Sequence, residues 1–262
     1  MEPARPRAAL VAALLRRGDG ATAPLNARGR FDIWGHRFGI LIMRLPFEQF
    51  PALSAIETCR HVFAQRIPGI DVSHDKAKVL ERLNAAHQEI RNTAGLGHWP
   101  LFTAQQIHGN KIAVINSCSR SPMGREFPAG DGIITNQRGV ALGIYVADCC
   151  AVYIVDPKTP AIGLVHSGRK GTELGVVTNG ITQMIDRFGS DPAEMIVQLS
   201  PCIRPPHYEV DFASEIIRQC RALGVQHIYD SGTCTACDLG RYYSYRSEKG
   251  KTGRMLAVLA LR

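Results

Sequence analysis

The sequence predicts a mixed α/β or α+β protein organised around buried β-strands. Three short apolar runs, Val140–Val146, Val152–Val155 and Ala161–Val165, are rich in β-branched and aliphatic residues and are bounded by turn residues, as buried strands are. Amphipathic helical repeats lie on both sides of this block, at 75–93 and 174–188. Strands and helices alternate irregularly and some adjacent strands lack a helix between them, which argues against a regular βαβ arrangement.

Length and composition predict one domain preceded by a basic arm. A chain of 262 residues is long enough for one large domain or two small ones. Residues 1–30 carry six arginines among alanine, proline and glycine, a composition that favours disorder. Beyond residue 30 we find no linker, internal repeat or low-complexity tract. We therefore predict a disordered arm over 1–30 and a single catalytic domain over 31–262.

Charge and cysteine content narrow the partners and the compartment. The formal net charge is +8, but no run of four basic residues and no basic–aromatic repeat occurs, so nucleic-acid binding is not expected. The excess charge favours small anionic substrates. Eight cysteines without framework spacing predict a reducing compartment. The apolar segment Ala8–Leu15 is too short to span a bilayer, so we expect a cytoplasmic protein, and a monomer is favoured.

The remaining elements follow from apolar periodicity and from turn and cap residues. The helix over 75–93 is expected to close at Gly95 and Gly97, and the helix over 174–188 to begin at the N-cap Thr172 and end at Gly189. Asp211 is expected to cap a further helix that stops at Gly224. The segment 54–65 fits either a short helix or a strand. Further strands are predicted at Phe31–Ile33, Arg37–Leu45, Phe102–Ile107, Lys111–Ile115, Met195–Leu199 and Met255–Leu261.

A thiol and two imidazoles stand at boundaries of these elements. Cys149 lies between the first two central strands, His166 directly follows the third, and His108 separates two upstream strands. Ends of adjacent strands converge, and one thiolate with two imidazoles is a donor set of catalytic zinc sites, which leave the fourth position open. Equally, Cys149 fits a nucleophile with His166 as its base and Asp148 orienting the pair. Spacing alone does not separate these readings from simple burial of the thiol.

Two other groups of residues are candidates for binding. Arg246, beside a run of tyrosines, has the planar fork that binds phosphate or carboxylate. Cys234 and Cys237 form a CxxC motif, but no second CxxC accompanies it, so a packing role is favoured.

Several motifs in order resemble the laccase-domain family, also called polyphenol-oxidase-like. Its Q-V-H-G, A-D-C and H-A-G-W-R-G elements are similar to 106–109, 147–149 and 166–171 of this chain, and the early F-S-T-R is similar to 63–66. The family's G-P-C-I and Y-E-V are similar to 200–203 and 208–210. Its C-terminal signatures resemble Cys234–Thr235, Tyr243–Arg246 and Thr252–Arg254. The resemblance runs from about residue 60 to the C-terminus.

The resemblance implies a fold, a metal centre and an activity. The fold would be a compact sandwich in which two central mixed sheets pack between helices, as in the laccase-domain and cytotoxic-necrotizing-factor-like proteins. The metal ligands would be His108, Cys149 and His166, with zinc favoured over copper. Members are described as zinc-dependent purine nucleoside phosphorylases acting on adenosine, inosine, guanosine and methylthioadenosine, and as adenosine deaminases.

For such a reaction we hypothesise roles for several further side chains. Arg66, Lys170 and Arg246 would bind the phosphate, and Asp148 would orient a ligand histidine. The partners would be a nucleoside and phosphate. The chain departs from the family where Arg169 and Lys170 replace the W-R pair. Loss of the aromatic residue weakens the argument for a flat base, and the added charge favours an anionic substrate.

Three other functions stay open at this point. One is a copper-dependent polyphenol oxidase, which would need several copper ions, whereas only one clear cluster and no His-x-His pair are visible. The second is a cysteine- or zinc-dependent amide hydrolase acting on peptidoglycan precursors. The third is a metal-stabilised binding protein without catalysis.

Overall fold

The computed structural model describes residues 45–117 and 124–262. Within these ranges the strands form two six-stranded sheets. In chain order the strands are β1 Phe47–Glu48, β2 Cys59–Ala64, β3 Leu101–Ala104, β4 Ile112–Ile115, β5 Arg125–Phe127, β6 Gly132–Thr135, β7 Ala141–Val146, β8 Cys150–Asp156, β9 Ala161–Ser167, β10 Ile196–Leu199, β11 His227–Asp230 and β12 Met255–Leu261. The α-helices are α1 Pro51–Ser54, α2 Lys76–Thr93, α3 Arg169–Glu173, α4 Val176–Phe188 and α5 Phe212–Ala222, with a short 3₁₀ helix at Thr235–Cys237.

Both sheets are mixed. The first has the order β1-β2-β12-β7-β3-β5 and the second β11-β10-β8-β9-β6-β4. In the first, β12 is antiparallel to β7 while β3 runs parallel to it. In the second, β8 and β9 form a seven-residue antiparallel pair at the centre. These two central strands, fully buried along their length, position the candidate site.

The two sheets pack face to face between helices. Along β8 and β9 successive side chains point to opposite faces. Tyr153 and Leu164 belong to the core shared with the first sheet, and the Tyr153 hydroxyl donates to the carbonyl of Val62 at 3.0 Å. Val152 and Val165 belong instead to the core that α4 and α5 cover. On the outer face of the first sheet, α2 contributes its apolar stripe to the first core.

The predicted sandwich of two mixed sheets between helices is therefore confirmed. The helix caps follow the sequence: Asp75 accepts the first backbone N–H groups of α2, and Asp211 does the same for α5. Gly189 ends α4 in the left-handed region, with φ +71°. The final strand has the predicted bounds, and the segment 54–65 is mainly a strand, Cys59–Ala64.

Two local predictions are wrong. Thr172 does not cap α4, because it lies inside α3, where its hydroxyl donates to the Gly168 carbonyl at 2.8 Å. The chain turns instead at Gly175, whose φ of +68° separates the two helices and leaves Leu174 exposed outside α4. His166 lies within β9 rather than after it, because the ladder with β8 continues to Ser167.

Some predictions concern residues outside the described ranges. These are the arm over 1–30, the strand Phe31–Ile33 and nearly all of Arg37–Leu45, and they stay predictions. Among the described helices, none has both the length and the apolar character needed to cross a membrane. The predicted cytoplasmic location stays a prediction.

Candidate functional site

The predicted thiol and imidazoles come together at one end of the second sheet. In the antiparallel pair β8–β9, Ala151 lies opposite His166, so Cys149, just before β8, is beside that histidine. His108 lies in the loop between β3 and β4. One ligand atom of each of the three residues lies within 4.8 Å of the others. The two imidazole rings are nearly perpendicular, with centroids 4.9 Å apart.

Asp131, for which the sequence predicted no role, holds this arrangement in place. Its fully buried carboxylate accepts a hydrogen bond from His166 Nδ1 at 2.9 Å, which leaves Nε2 as the nitrogen available to bind a metal ion. The same carboxylate accepts the backbone N–H groups of Ile107, His108 and Gly109, at 3.3, 2.9 and 2.6 Å. One side chain therefore orients one histidine and fixes the loop that carries the other.

The loop of His108 is also tied to the first sheet. The Gln106 side chain donates to the Tyr145 carbonyl at 2.7 Å and accepts from the Tyr145 N–H at 3.1 Å. His108 itself has a φ of +59°, a left-handed conformation that is uncommon for a residue with a side chain. The loop geometry is therefore imposed by its hydrogen bonds to Gln106, Tyr145 and Asp131.

The thiol of Cys149 packs against Gly168 at the start of α3. A methyl group at residue 168 would lie only 2.5 Å from Cys149 Sγ. Glycine is therefore required here by close approach and not by a left-handed backbone. The close approach of the Cys149 thiol therefore explains why residue 168 is a glycine.

Without a metal ion, Cys149 and His166 form a thiolate–imidazolium pair, and an ion bound here would have to displace the proton of His166. Burial raises the pKa of Cys149, but the nearby His166 and His108 outweigh it and lower that pKa to about 6. Burial lowers the pKa of His166, but Cys149 and Asp131 raise it to about 9. A thiolate, two imidazoles and a carboxylate behind one imidazole fit a zinc-type centre with an open position. The three residues form a candidate metal centre.

The lowered pKa of Cys149 predicts the pH dependence of its alkylation in metal-free protein. Only the thiolate reacts with iodoacetamide, so the rate should rise as the pH passes through about 6 and then stay constant. Cys237 is the internal control, because the neighbouring Cys234 raises the pKa of its thiol. Peptide mass spectrometry of both cysteines across the pH range measures the difference. Parallel profiles at the two residues would contradict the arrangement described here.

The contacts of Asp148 differ from those that its predicted role requires. Its carboxylate accepts the Thr235 hydroxyl at one oxygen and the backbone N–H of Arg246 at the other, each at 2.7 Å. The carboxylate that hydrogen-bonds His166 is that of Asp131, so the contacts of Asp148 give no support to its predicted role in orienting a ligand histidine. Asp148, with a φ of +80°, instead joins three chain segments beside Cys149.

A cavity of about 1050 Å³ opens above the candidate metal centre. Its lining residues include His108, Asp148, Cys149 and His166 as well as the predicted Lys170 and Arg246. The Arg246 guanidinium pairs with Glu209 and lies 5.1 Å from the Tyr208 ring centre.

The structure does not bring Arg66 to this cavity. Its guanidinium contacts Glu248 at 2.7 Å, donates to the Tyr242 carbonyl at 3.1 Å, and lies 4.3 Å from the Tyr243 ring centre. Arg66 thus joins the C-terminal segment to the end of β2, and its position gives the predicted substrate contact no support.

Two cations on the cavity wall, Lys76 and Arg254, had no role predicted from the sequence. Arg254 and Lys76 join Arg169, Lys170, Arg246 and Lys249 on its wall, against the acidic Asp148 and Glu173. Burial lowers the pKa of Lys76 and the positive charge of Arg254 adds to this effect, while the negative charges of Glu126 and Asp131 oppose it. The Arg254 guanidinium donates to the carbonyls of Thr252 and Gly253, and no carboxylate of the described residues pairs with it. In the sequence, Arg254 was noted only as the last residue of the segment Thr252–Arg254, which resembles a C-terminal signature of the family.

The CxxC motif also differs from the expectation. Cys237 is exposed rather than packed, and both cysteines lie near His207. The described residues therefore contain a second group with metal-ligand chemistry, where the sequence suggested one.

The fold and the candidate centre define a laccase-like protein. The chain belongs to the multi-copper polyphenol oxidoreductase laccase family, whose model matches residues 61–216 and 210–262. Among curated proteins, it is 28% identical over 242 residues to the purine nucleoside phosphorylase YlmD of Geobacillus stearothermophilus, covering 76% of this chain and 85% of that protein. It is 31% identical over 219 residues to a purine nucleoside phosphorylase of Corynebacterium glutamicum, covering 74% and 85%.

Solved structures share the fold. The crystal structure of YlmD from Geobacillus stearothermophilus superposes with a TM-score of 0.70 at 22% identity, over 81% of this chain and 94% of that one. A Bacillus licheniformis protein, YfiH, gives a TM-score of 0.67 at 22% identity, over 78% and 93%. The predicted family resemblance is confirmed.

Proposed function

We propose that this protein is a zinc-dependent purine nucleoside phosphorylase with its metal bound by His108, Cys149 and His166. The observation that carries the proposal is the candidate metal centre at the base of a basic cavity of about 1050 Å³. Ligand-binding pockets commonly measure about 300–1,000 Å³, so this space suits a nucleoside together with phosphate. The names of the relatives above support the same activity.

Arg254 and Lys76 are the best candidates for binding the phosphate. Both residues line the cavity, and positive charge concentrated on a cavity wall attracts an anion such as phosphate. The Arg254 guanidinium has no carboxylate partner among the described residues, whereas that of Arg246 is already paired with Glu209. We therefore assign Arg254 and Lys76 the main role, and Lys170 and Arg246 a supporting one.

The nucleoside would occupy the apolar part of the cavity. Tyr208, Phe212, Tyr245 and Ile203 line it, and aromatic rings bind flat bases by stacking. These rings offer a surface for the base although Arg169 and Lys170 replace the W-R pair. Adenosine, inosine, guanosine and methylthioadenosine are the proposed substrates, with adenosine deamination as a second proposed activity.

In the proposed reaction a phosphate oxygen forms a bond to the anomeric carbon of the ribose while the bond to the purine nitrogen breaks. The electron pair of that bond stays on the purine, which then takes up a proton. Arg254 and Lys76 hold the attacking phosphate and compensate its charge, and the aromatic residues hold the base in line. Zinc held by His108, Cys149 and His166 would supply Lewis acidity, and by lowering the pKa of water it would suit deamination.

The deciding experiment combines metal analysis with an activity screen. Protein purified without added metal should contain zinc and release purine base from nucleosides only when phosphate is present. Cys149→Ala should lose the metal of this centre and at least a hundredfold in activity. Cys220→Ala, which removes a fully buried thiol of α5, is the matched control and should keep both.

Other outcomes would point to the alternatives. Several copper ions with visible absorption and phenol oxidation would support the oxidase. Amide hydrolysis that survives metal removal and stops on alkylation of Cys149 would support a cysteine hydrolase acting on peptidoglycan precursors. Stoichiometric zinc without turnover of any nucleoside would support a metal-stabilised binding protein.

A further inference from the structure

A second group of metal-ligating side chains lies outside the cavity. His207, Cys234 and Cys237 each offer a ligand atom within 4.8 Å of the others, and none of them lines the cavity. We propose that these residues bind a second, thiophilic divalent ion of the zinc class, which fastens the loop of the CxxC motif to the segment that follows β10. The inference stands on these residues alone and does not depend on the proposed function.

The distances match a tetrahedral ion. His207 Nδ1 lies 3.8 Å from Cys234 Sγ and 3.5 Å from Cys237 Sγ. For tetrahedral zinc with Zn–S of about 2.3 Å and Zn–N of about 2.0–2.1 Å, the sulfur-to-nitrogen edge is about 3.6 Å. Both separations agree with that edge, so the side chains need little movement to coordinate an ion.

The backbone holds the two segments together before any ion binds. Cys202 N–H donates to the Thr233 carbonyl and its own carbonyl accepts the N–H of Thr235, both at 3.1 Å. Between the two cysteines the chain forms a tight turn, with Cys237 N–H donating to the Cys234 carbonyl at 3.2 Å. On the other segment, His207 N–H donates to the Arg204 carbonyl at 2.9 Å. The ligands are therefore preorganised from two segments 27 residues apart in the chain.

The donor set and its exposure indicate a site open to solvent. Two thiolates and an imidazole select soft or borderline ions such as zinc over magnesium or calcium. His207 and Cys237 are exposed, so an ion has access and its fourth ligand would be water.

The second site is linked to the first through two hydrogen bonds to Asp148. Thr235, between the two cysteines, donates its hydroxyl to the buried Asp148 carboxylate at 2.7 Å, and Asp148 directly precedes Cys149. The carbonyl of Asp148 also accepts the N–H of Ile203, on the segment that leads to His207. An ion at the second site would fasten both segments that hold Asp148, and would thereby position Cys149 indirectly.

The test counts metal ions with each site removed separately. Wild-type protein purified under reducing conditions should bind two zinc equivalents, and the double variant Cys234→Ser/Cys237→Ser should lose one. Cys149→Ala should lose the ion of the site formed by His108, Cys149 and His166, and should keep the ion bound by His207, Cys234 and Cys237. His207→Ala should weaken the second site, whereas the matched control His227→Ala, an exposed histidine of β11, should leave the metal content unchanged. Circular dichroism confirms that each variant is folded.

Cobalt alone provides an independent readout. Metal-free Cys149→Ala titrated with Co²⁺ should develop thiolate-to-cobalt charge-transfer absorption with a one-to-one endpoint, and the triple variant that also lacks Cys234 and Cys237 should develop none. An unchanged metal content in the Cys234→Ser/Cys237→Ser variant would overturn the proposal. So would a Cys234–Cys237 disulfide found by mass spectrometry in protein kept under reductant. Failure of the phosphorylase assay would affect neither result.

Discussion

Replacing Asp131 by asparagine is expected to weaken metal binding about 10- to 100-fold, the usual effect of losing a carboxylate behind a ligand histidine. The reason is that all the groups facing this side chain are donors: three backbone N–H groups and His166 Nδ1. An amide in either orientation turns its NH₂ toward some of them. If it faces His166, the imidazole proton has to move to Nε2, which removes the ligand lone pair.

The same substitution should lower the free energy of unfolding by about 2–3 kcal/mol, because buried N–H groups lose a charged acceptor. Asp156→Asn is the matched control. That aspartate is also buried and accepts two backbone N–H groups, but it lies at the opposite end of β8. It should lose stability and keep the metal. Zinc content by mass spectrometry and denaturant unfolding measure the two effects, and equal metal content in both variants would contradict the role of Asp131.

Replacing Arg254 by glutamine should raise the KM for phosphate about 10- to 100-fold, the loss expected for about 1.5–3 kcal/mol of charged hydrogen bonding. The kcat should fall less, because the nucleoside site is untouched. Arg246→Ala should raise this KM less, since the Arg246 guanidinium is already paired with Glu209. Steady-state kinetics at varied phosphate concentration make the comparison.

Arg241→Gln is the matched control for this series. It removes the same charge from an exposed arginine that does not line the cavity, and its KM for phosphate should match that of the wild type. A larger effect at Arg246 than at Arg254 would place the phosphate near Arg246, as the sequence first suggested. An equal effect at Arg241 would reduce the role of Arg254 to general electrostatic attraction.

The sequence was informative where function depends on local pattern. The buried strands follow from runs of apolar residues, and two adjacent antiparallel strands necessarily bring Cys149 and His166 to one end. The proximity of these side chains was therefore predictable from the sequence, and their role as metal ligands stays a prediction. The cap of α5 at Asp211 was accessible for the same reason, because it depends on residues within one turn.

The remainder depends on contacts between distant segments. Asp131 binds a loop more than 20 residues upstream and a strand 35 residues downstream, and neither partner leaves a mark in the local sequence. Arg66 and Arg254 look alike in sequence, and only the fold places one on the first sheet and the other in the cavity. His207 gave no sign of its proximity to the CxxC motif, because an intervening helix and strand separate them. Helix α4 begins after Gly175 and not at Thr172, because the chain needs a left-handed turn between α3 and α4.

The neighbouring cysteines at the start of β8 illustrate how pleating assigns chemistry. Cys149 lines the cavity beside two histidines, whereas Cys150, one residue later, is fully buried in the core beneath the helices. Because adjacent residues of an extended chain point in opposite directions, a displacement of β8 by a single residue would exchange the two thiols. The inert sulfur would then face solvent and the reactive one would be enclosed. The two thiols are chemically identical, so their reactivity depends on the side of the extended chain to which each one points.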